Sequence, residues 1–396
     1  MNPSDVAIKA AKPPEPVLDV SGPRLVLGSR IAGDGLAEPI VPDGSTTFGP
    51  RGAALASTDG PLAICDTGHH RLLLWHKLPR DDYAPADVLI GQPDFGREGR
   101  NAKGDPGPAT MNVPTGVGFG TDPATGETIL AVADAWNHRV LIWDSIPTRD
   151  NQPADVVLGQ SVFSGMQINR GGAVGPDTLN WCYGVTIIDG RLVVGDTGNR
   201  RVLIWDEIPT KNGQPADMVV GQQDLNSRDE NAGEEPGPLG LRWPHAVASS
   251  NGRLLVSDAG NNRILVWNEW PSEPGVPADF ALGQKNFECL EINQGNYGPD
   301  ASALNMPYGL AVTKDWVIAA DTANSRLIGW RHEDLVQGAD AVGLAAQPDF
   351  GAKGDNRWQM PVRDSLCWPY NVTICGDTAV IADSGNNRVL IWDLAS

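Results

Sequence analysis

The chain has 396 residues, of which 41% are hydrophobic and 20% charged, the balance of a globular protein. Its formal net charge is −19 and its pI is near 4.6, which argues against nucleic acid and anionic membrane as partners, because affinity for phosphates rests largely on Lys and Arg. No stretch reaches the ~18 continuous apolar residues of a membrane-spanning helix. The 46 glycines and 32 prolines instead point to many turns and short strands.

The opening segment, MNPSDVAIKAAKPPEPVLDVSG, lacks the apolar region of a secretory leader. With Lys9, Lys12 and a Pro-Pro-Glu-Pro run, residues 1–22 read as an extended or disordered N-terminal arm. The five cysteines are odd in number and include no Cys-x-x-Cys pair, a pattern of reduced thiols rather than of a disulfide framework or zinc ribbon. These features predict a soluble, cytoplasmic protein.

From residue 23 onward a repeat governs the chain. CDTGHHRLLLW, ADAWNHRVLIW, GDTGNRRVLIW, SDAGNNRILVW, ADTANSRLIGW and ADSGNNRVLIW follow one another, with aspartates at Asp66, Asp134, Asp196, Asp258, Asp321 and Asp383. Their spacings are 68, 62, 62, 63 and 62 residues, so one unit recurs six times. Upstream of each aspartate lies a first strand such as VPTGVGF (113–119) or MPYGLAV (306–312). Downstream of each tryptophan comes a fourth: PADVLIGQ (85–92), PADVVLGQ (153–160), PADMVVGQ (215–222), PADFALGQ (277–284) and the degenerate ADAVGLAAQ (339–347). Four strands per unit, repeated radially, predict an all-β six-bladed β-propeller with antiparallel blades. The sixth unit lacks its fourth strand, and PRLVLGSR (23–30) aligns with it, so the N-terminal strand is expected to complete the last blade and close the ring. One propeller over 23–396 then accounts for everything beyond the arm.

The D-x-G-N-x-R-[VI]-L-[IV]-W signature resembles the NHL repeat, and the ADVVLGQ and LNxPYG flanks are similar to a bacterial NHL subgroup. The resemblance spans residues 23–396. It implies the propeller fold but no single activity, since related propellers include peptide- and RNA-binding scaffolds, lyases acting on hydroxyglycine peptides and metal-dependent lactonases.

Residues present in every unit read as fold chemistry. The six aspartates, with Asn199, Asn261, Asn324 and Asn386 three positions on, are expected to hold the turn between second and third strands. Arg71, Arg139, Arg201, Arg263, Arg326 and Arg388 are expected to pair with them, and the tryptophans (Trp75, Trp143, Trp205, Trp267, Trp330 and Trp392) to pack between blades. The column that varies is more informative. Arg51, Thr115, Tyr183, His245, Tyr308 and Tyr370 begin the first strands and should ring one mouth of the channel, with Trp181, Trp243 and Trp368 close by. Such an amphipathic cup suits stacking and hydrogen bonding to a ligand, or a plug.

No catalytic constellation emerges. Of six histidines only His245 falls in the channel column, and that column holds no carboxylate, so no cofactor is expected. Asn180, Asn305 and Asn371 nearby leave calcium open. The long inter-blade loops, for example 164–180 and 351–367, form a surface suited to partners. The expected function is therefore a non-enzymatic scaffold for a protein or peptide, a candidate subunit of a larger complex. A metal-dependent hydrolase or lyase at the channel mouth is the alternative.

Overall fold

The computed structural model describes residues 13–28, 31–32, 35–36, 41–123 and 125–396. They form a six-bladed propeller with four antiparallel strands in each blade. Blade one comprises Gly52–Leu55, Leu62–Asp66, Arg71–Trp75 and Val88–Ile90, and blades two to five repeat this order. In blade six, Pro369–Cys375, Thr378–Asp383 and Arg388–Asp393 are completed by Leu25–Gly28, which pairs antiparallel with Arg388–Asp393. The expected closing strand is thus in place. It joins the two ends of the ring, while the strand ladders of the blades stay separate sheets.

The repeat columns show how each blade is built. The second strand ends at its aspartate, a single 3-10 turn follows in blades two to six and a plain turn in blade one, and the residue four positions after the aspartate is left-handed, as at Arg200 (φ 56°). Within that turn Asp196 Oδ1 accepts the Asn180 backbone N–H at 2.8 Å, and Oδ2 accepts from Asn199 Nδ2 (2.8 Å) and Arg201 Nε (2.8 Å). The Arg201 head also donates to the carbonyls of Gly175, Thr178 and Leu225. The arginine pairs with the aspartate of its own blade in all six units, and every such pair is fully buried. Each buried carboxylate is thereby surrounded by donors, the condition under which a buried charge pair is tolerable.

The tryptophans pack between blades as expected. Trp143 of blade two lies against Ala63, Leu72 and Val88 of blade one, and Trp75 of blade one lies against Val389 and Ile391 of blade six, which closes the circle. Toward the axis the first strands of blades one, two, three and five approach closely enough to demand a glycine after the channel residue, where blades four and six carry Ala246 and Asn371. A Cβ on Gly184 would stand 1.9 Å from the His245 carbonyl oxygen, and one on Gly52 would stand 2.3 Å from that of Thr115.

Outer edges are covered by the next blade's hairpin between third and fourth strands. Leu89 of blade one donates its N–H to Asp150 Oδ1 and accepts from Asn151 N, both from blade two. Ala281 of blade four is held likewise by Gln337 and Gly338 of blade five. Blade six has no such hairpin, because its fourth strand comes from the other part of the chain. There Glu15–Pro16 lies parallel to Gly343–Leu344 and covers blade five's edge instead. Residues 1–12 of the expected arm lie outside the described residues. Its remainder passes from blade five, where Glu15 forms an ion pair with Arg331 (2.7 Å), to blade six, where Leu18 bridges Leu394 and Asp19 N donates to Asp393 O (2.9 Å), with Val17 and Leu18 buried.

Candidate functional site

All inter-blade loops open onto the face that carries the aspartate turns, and two further columns pin them there. The glutamine that follows the fourth strand in blades one to five is buried and donates to carbonyls on both sides, as Gln160 Nε2 does to His138 O (3.1 Å) and Gln167 O (2.9 Å). Five of the inter-blade loops also contribute a buried, left-handed asparagine that bonds the turn asparagine, as a reciprocal amide pair in four of them. Asn169 Nδ2 donates to Asn199 Oδ1 at 3.1 Å, and Asn199 Nδ2 returns to Asn169 Oδ1 at 2.8 Å. Asn101, Asn293 and Asn356 pair in the same way with Asn137, Asn324 and Asn386, whereas between blades three and four Asn261 Nδ2 donates to Asn231 Oδ1 (2.9 Å) with no return bond. These loop residues lie outside any strand period, so strand patterning passes over them. Their near-constant distance of 30 or 31 residues from the turn asparagine, in four of the five pairs, is the sequence signal that could have revealed them.

The channel column converges. The rings of Tyr183 and His245 lie 4.2 Å apart, His245 stacks on Tyr308 at 4.1 Å with 7° between planes, and Tyr308 meets Tyr370 at 4.9 Å. The Arg51 guanidinium carbon sits 4.8 Å from the Tyr370 ring centre. Thr115 occupies its place in the column but is buried, with its hydroxyl donating to Tyr183 O at 2.7 Å, so it supports the ring rather than presenting a group. Trp181 packs edge-on against both Tyr183 and His245, Trp243 lies under Arg242, and Trp368 is exposed at the rim. The stack plugs the channel. A cavity of about 70 Å³ remains within the channel, lined by Thr186, Asn371 and Thr373 among others.

On the loop side of the stack the mouth widens to a cavity of about 720 Å³, walled by Phe48, His70, Trp136, Trp368 and Tyr370, with Arg51 at its floor. Phe48 and Trp136 belong to no column of the sequence reading, yet they are half-exposed and form much of the wall.

Electrostatics leave one charge in the stack. Burial pushes the Tyr183 phenol well above its usual value and Tyr308 up to about 12, so both stay neutral. Burial also lowers His245 to about 4. Its Nδ1–H donates to Trp243 O at 2.9 Å, which leaves Nε2 as an acceptor. Arg51 remains a guanidinium, its charged form favoured first by the Tyr183 hydroxyl beside it. His70 and His138 serve elsewhere. Each accepts a backbone N–H from the next blade on Nδ1, from Val113 (3.1 Å) and Trp181 (2.8 Å) respectively, clasping adjacent blades. The two cysteines beside the ring are not activated. Burial raises Cys182 well above its usual range, and burial with Asp355 and Asp383 pushes Cys367 up to about 12. Among the described residues no group of three or more His, Cys, Asp or Glu is placed to hold a metal ion, and no helix is long and apolar enough to cross a membrane.

The NHL repeat model matches residues 241–267, which hold the first three strands of blade four. With the six recurrences and the six blades, that match supports an NHL-repeat β-propeller. Hydrazine synthase from Kuenenia stuttgartiensis superposes with a TM-score of 0.51 at 11% identity, covering 91% of this chain and 97% of its own. A streptogramin B lyase gives 0.44 at 11% identity, covering 96% and 97%, and the WD40 propeller domain of Doa1 gives 0.45 at 9%, covering 94% and 96%. These likenesses are of fold. No curated protein sequence matches.

Proposed function

We propose that this propeller is a non-enzymatic interaction scaffold that docks a protein or peptide partner on its loop face, in the cytoplasm. The supporting observation is how side chains divide between the two ends. Most of the large exposed apolar residues lie on the loop face, among them Phe48, Trp136, Ile292, Tyr297, Trp358 and Met360. The opposite end is acidic, and a cavity between blades two and three is lined there by Asp122, Glu127, Asp144, Asp189, Asp206 and Glu207. Exposed apolar groups gathered on one rigidly mounted face mark a contact surface, and a charged opposite end keeps the particle soluble. The buried amide pairs and glutamines preorganise the loops, which lowers the ordering cost of binding.

The test is affinity capture with the protein itself, followed by Trp358→Ala/Met360→Ala and Asp189→Ala/Asp206→Ala double variants. A partner lost with the first pair and retained with the second supports the scaffold. Binding that survives the first pair and fails with the second would place the docking surface at the acidic end, and turnover of a small substrate at the mouth would favour a hydrolase or lyase.

A further inference from the structure

The mouth cavity has a composition at odds with the rest of the molecule. In a chain of net charge −19, its thirteen lining residues include no carboxylate. They include one guanidinium, Arg51, charged by its own basicity and with tyrosines rather than a carboxylate beside it. Around that cation stand the aromatic faces of Phe48, Trp136, Trp368 and Tyr370.

Several other polar groups of the lining are already engaged. Gly49 N donates to Asn387 Oδ1 (2.7 Å), Gly68 N to Phe48 O (2.8 Å) and Gly385 N to Cys367 O (2.9 Å). The Thr67 and Ser384 hydroxyls donate to the carbonyls of Pro114 and Pro50. The charged donor that remains for a ligand is the Arg51 guanidinium, and the neutral ones are Nε2–H of His70, whose Nδ1 is occupied by the Val113 N–H, the indole N–H of Trp136 and the Tyr370 hydroxyl. One fixed positive charge and few free amides suit a monoanion. Phosphate sites, by contrast, recruit a nest of free backbone N–H groups or several cations. A volume of about 720 Å³ lies within the range of small-ligand pockets and leaves ample room beyond the anion for an apolar body against the aromatic wall.

We infer that the mouth is a binding site for a carboxylate borne on an aromatic or aliphatic body, with Arg51 taking the carboxylate and Phe48, Trp136 and Trp368 taking the body. This rests on the loop face being the docking face. The same chemistry has two sources, a free acid or the C-terminal carboxylate of a peptide lying across the loops.

Calorimetric titration of the full chain separates them. The probes are N-acetyl-tryptophan, its carboxamide, phenyl phosphate, and an eight-residue peptide ending in Gly-Trp as free acid or as amide. Recognition of the carboxylate predicts that each acid binds at least about tenfold tighter than its amide, the scale of a charge-assisted hydrogen bond. Arg51→Met, which keeps the stem, should erase that preference, and Trp136→Ala, at an exposed position, should weaken acid and amide alike. A peptide acid that outbinds N-acetyl-tryptophan identifies a C-terminus as the ligand, whereas equal binding identifies the free acid. Equal affinity for acid and amide, a preference that survives Arg51→Met, tighter binding of phenyl phosphate, or no binding of any probe each overturns the inference. If a captured partner is lost with Trp358→Ala/Met360→Ala but unaffected by Arg51→Met, the scaffold reading stands and only this inference fails.

Discussion

Replacing Asn169 by alanine isolates what the loop asparagines contribute. Asn169 and Asn199 exchange two amide hydrogen bonds, and both are buried. The substitution removes both bonds and leaves the Asn199 Oδ1 without its donor, a loss on the order of 1–3 kcal/mol. Asn169 is also left-handed (φ 48°), where an alanine costs about 1 kcal/mol more. The total of about 2–4 kcal/mol should fall on the loop over 164–180 before it falls on the blades. Hydrogen exchange read by mass spectrometry would show faster exchange in that loop with blades one, five and six unchanged, and the urea midpoint would drop. Asn169→Gly should recover part of the loss, since glycine accepts the left-handed geometry. An Asn169→Ala protein with unaltered loop exchange, or a glycine variant worse than the alanine one, would refute the assignment of the loop's order to this pair.

Three further outcomes follow from the same geometry. His245, buried and neutral with a value near 4, favours the folded state fully above about pH 6.5, and this contribution falls away as pH drops from about 6.5 to about 4, because the unfolded chain takes up the proton first. The 2.5-unit difference amounts to about 3 kcal/mol, so urea midpoints measured between pH 7.5 and 4.5 should fall less steeply in His245→Phe than in the parent; parallel curves would count against it. Cys65 and Cys182, fully buried with their thiols pushed up by burial, should resist a maleimide in the native protein and label only in denaturant, and rapid native labelling of either would contradict their placement. Leu27→Asp puts a charge at a fully buried position in the strand completing blade six and should lower stability by several kcal/mol, read as a drop in the urea midpoint, or prevent folding, while Val20→Asp, at an exposed position nearby, should change little.

The blades were legible because their chemistry recurs in register. Six Asp-to-Arg steps of five residues specify the turn and its ion pair, and a tryptophan ending each third strand specifies the inter-blade seam. Completion of blade six was readable from the VLG of 26–28. The site was legible only in part. The column from Arg51 to Tyr370 does converge, but whether its rings stack or stand apart depends on tilts that sequence spacing does not encode, and Thr115 turned inward to a carbonyl. Phe48 and Trp136 reach the mouth from turns of different blades, 88 residues apart, so only the closed ring brings them together. The glutamine after the fourth strand in blades one to five was visible as a motif, but its acceptors lie on two separate loops. The hairpin that covers each blade's edge works through Asp150, Asn212 and Gln337, three different side chains at equivalent places, which hides it from repeat matching.

The most direct test of the loop-face account is site-specific photocrosslinking in living cells, with a photoreactive residue placed at Trp358 on the loop face or at Asp206 on the acidic end. The account predicts a discrete adduct from position 358, lost when Tyr297→Ala and Met360→Ala are added, and none from position 206. An adduct from position 206 alone, or equal smears from both, would contradict it.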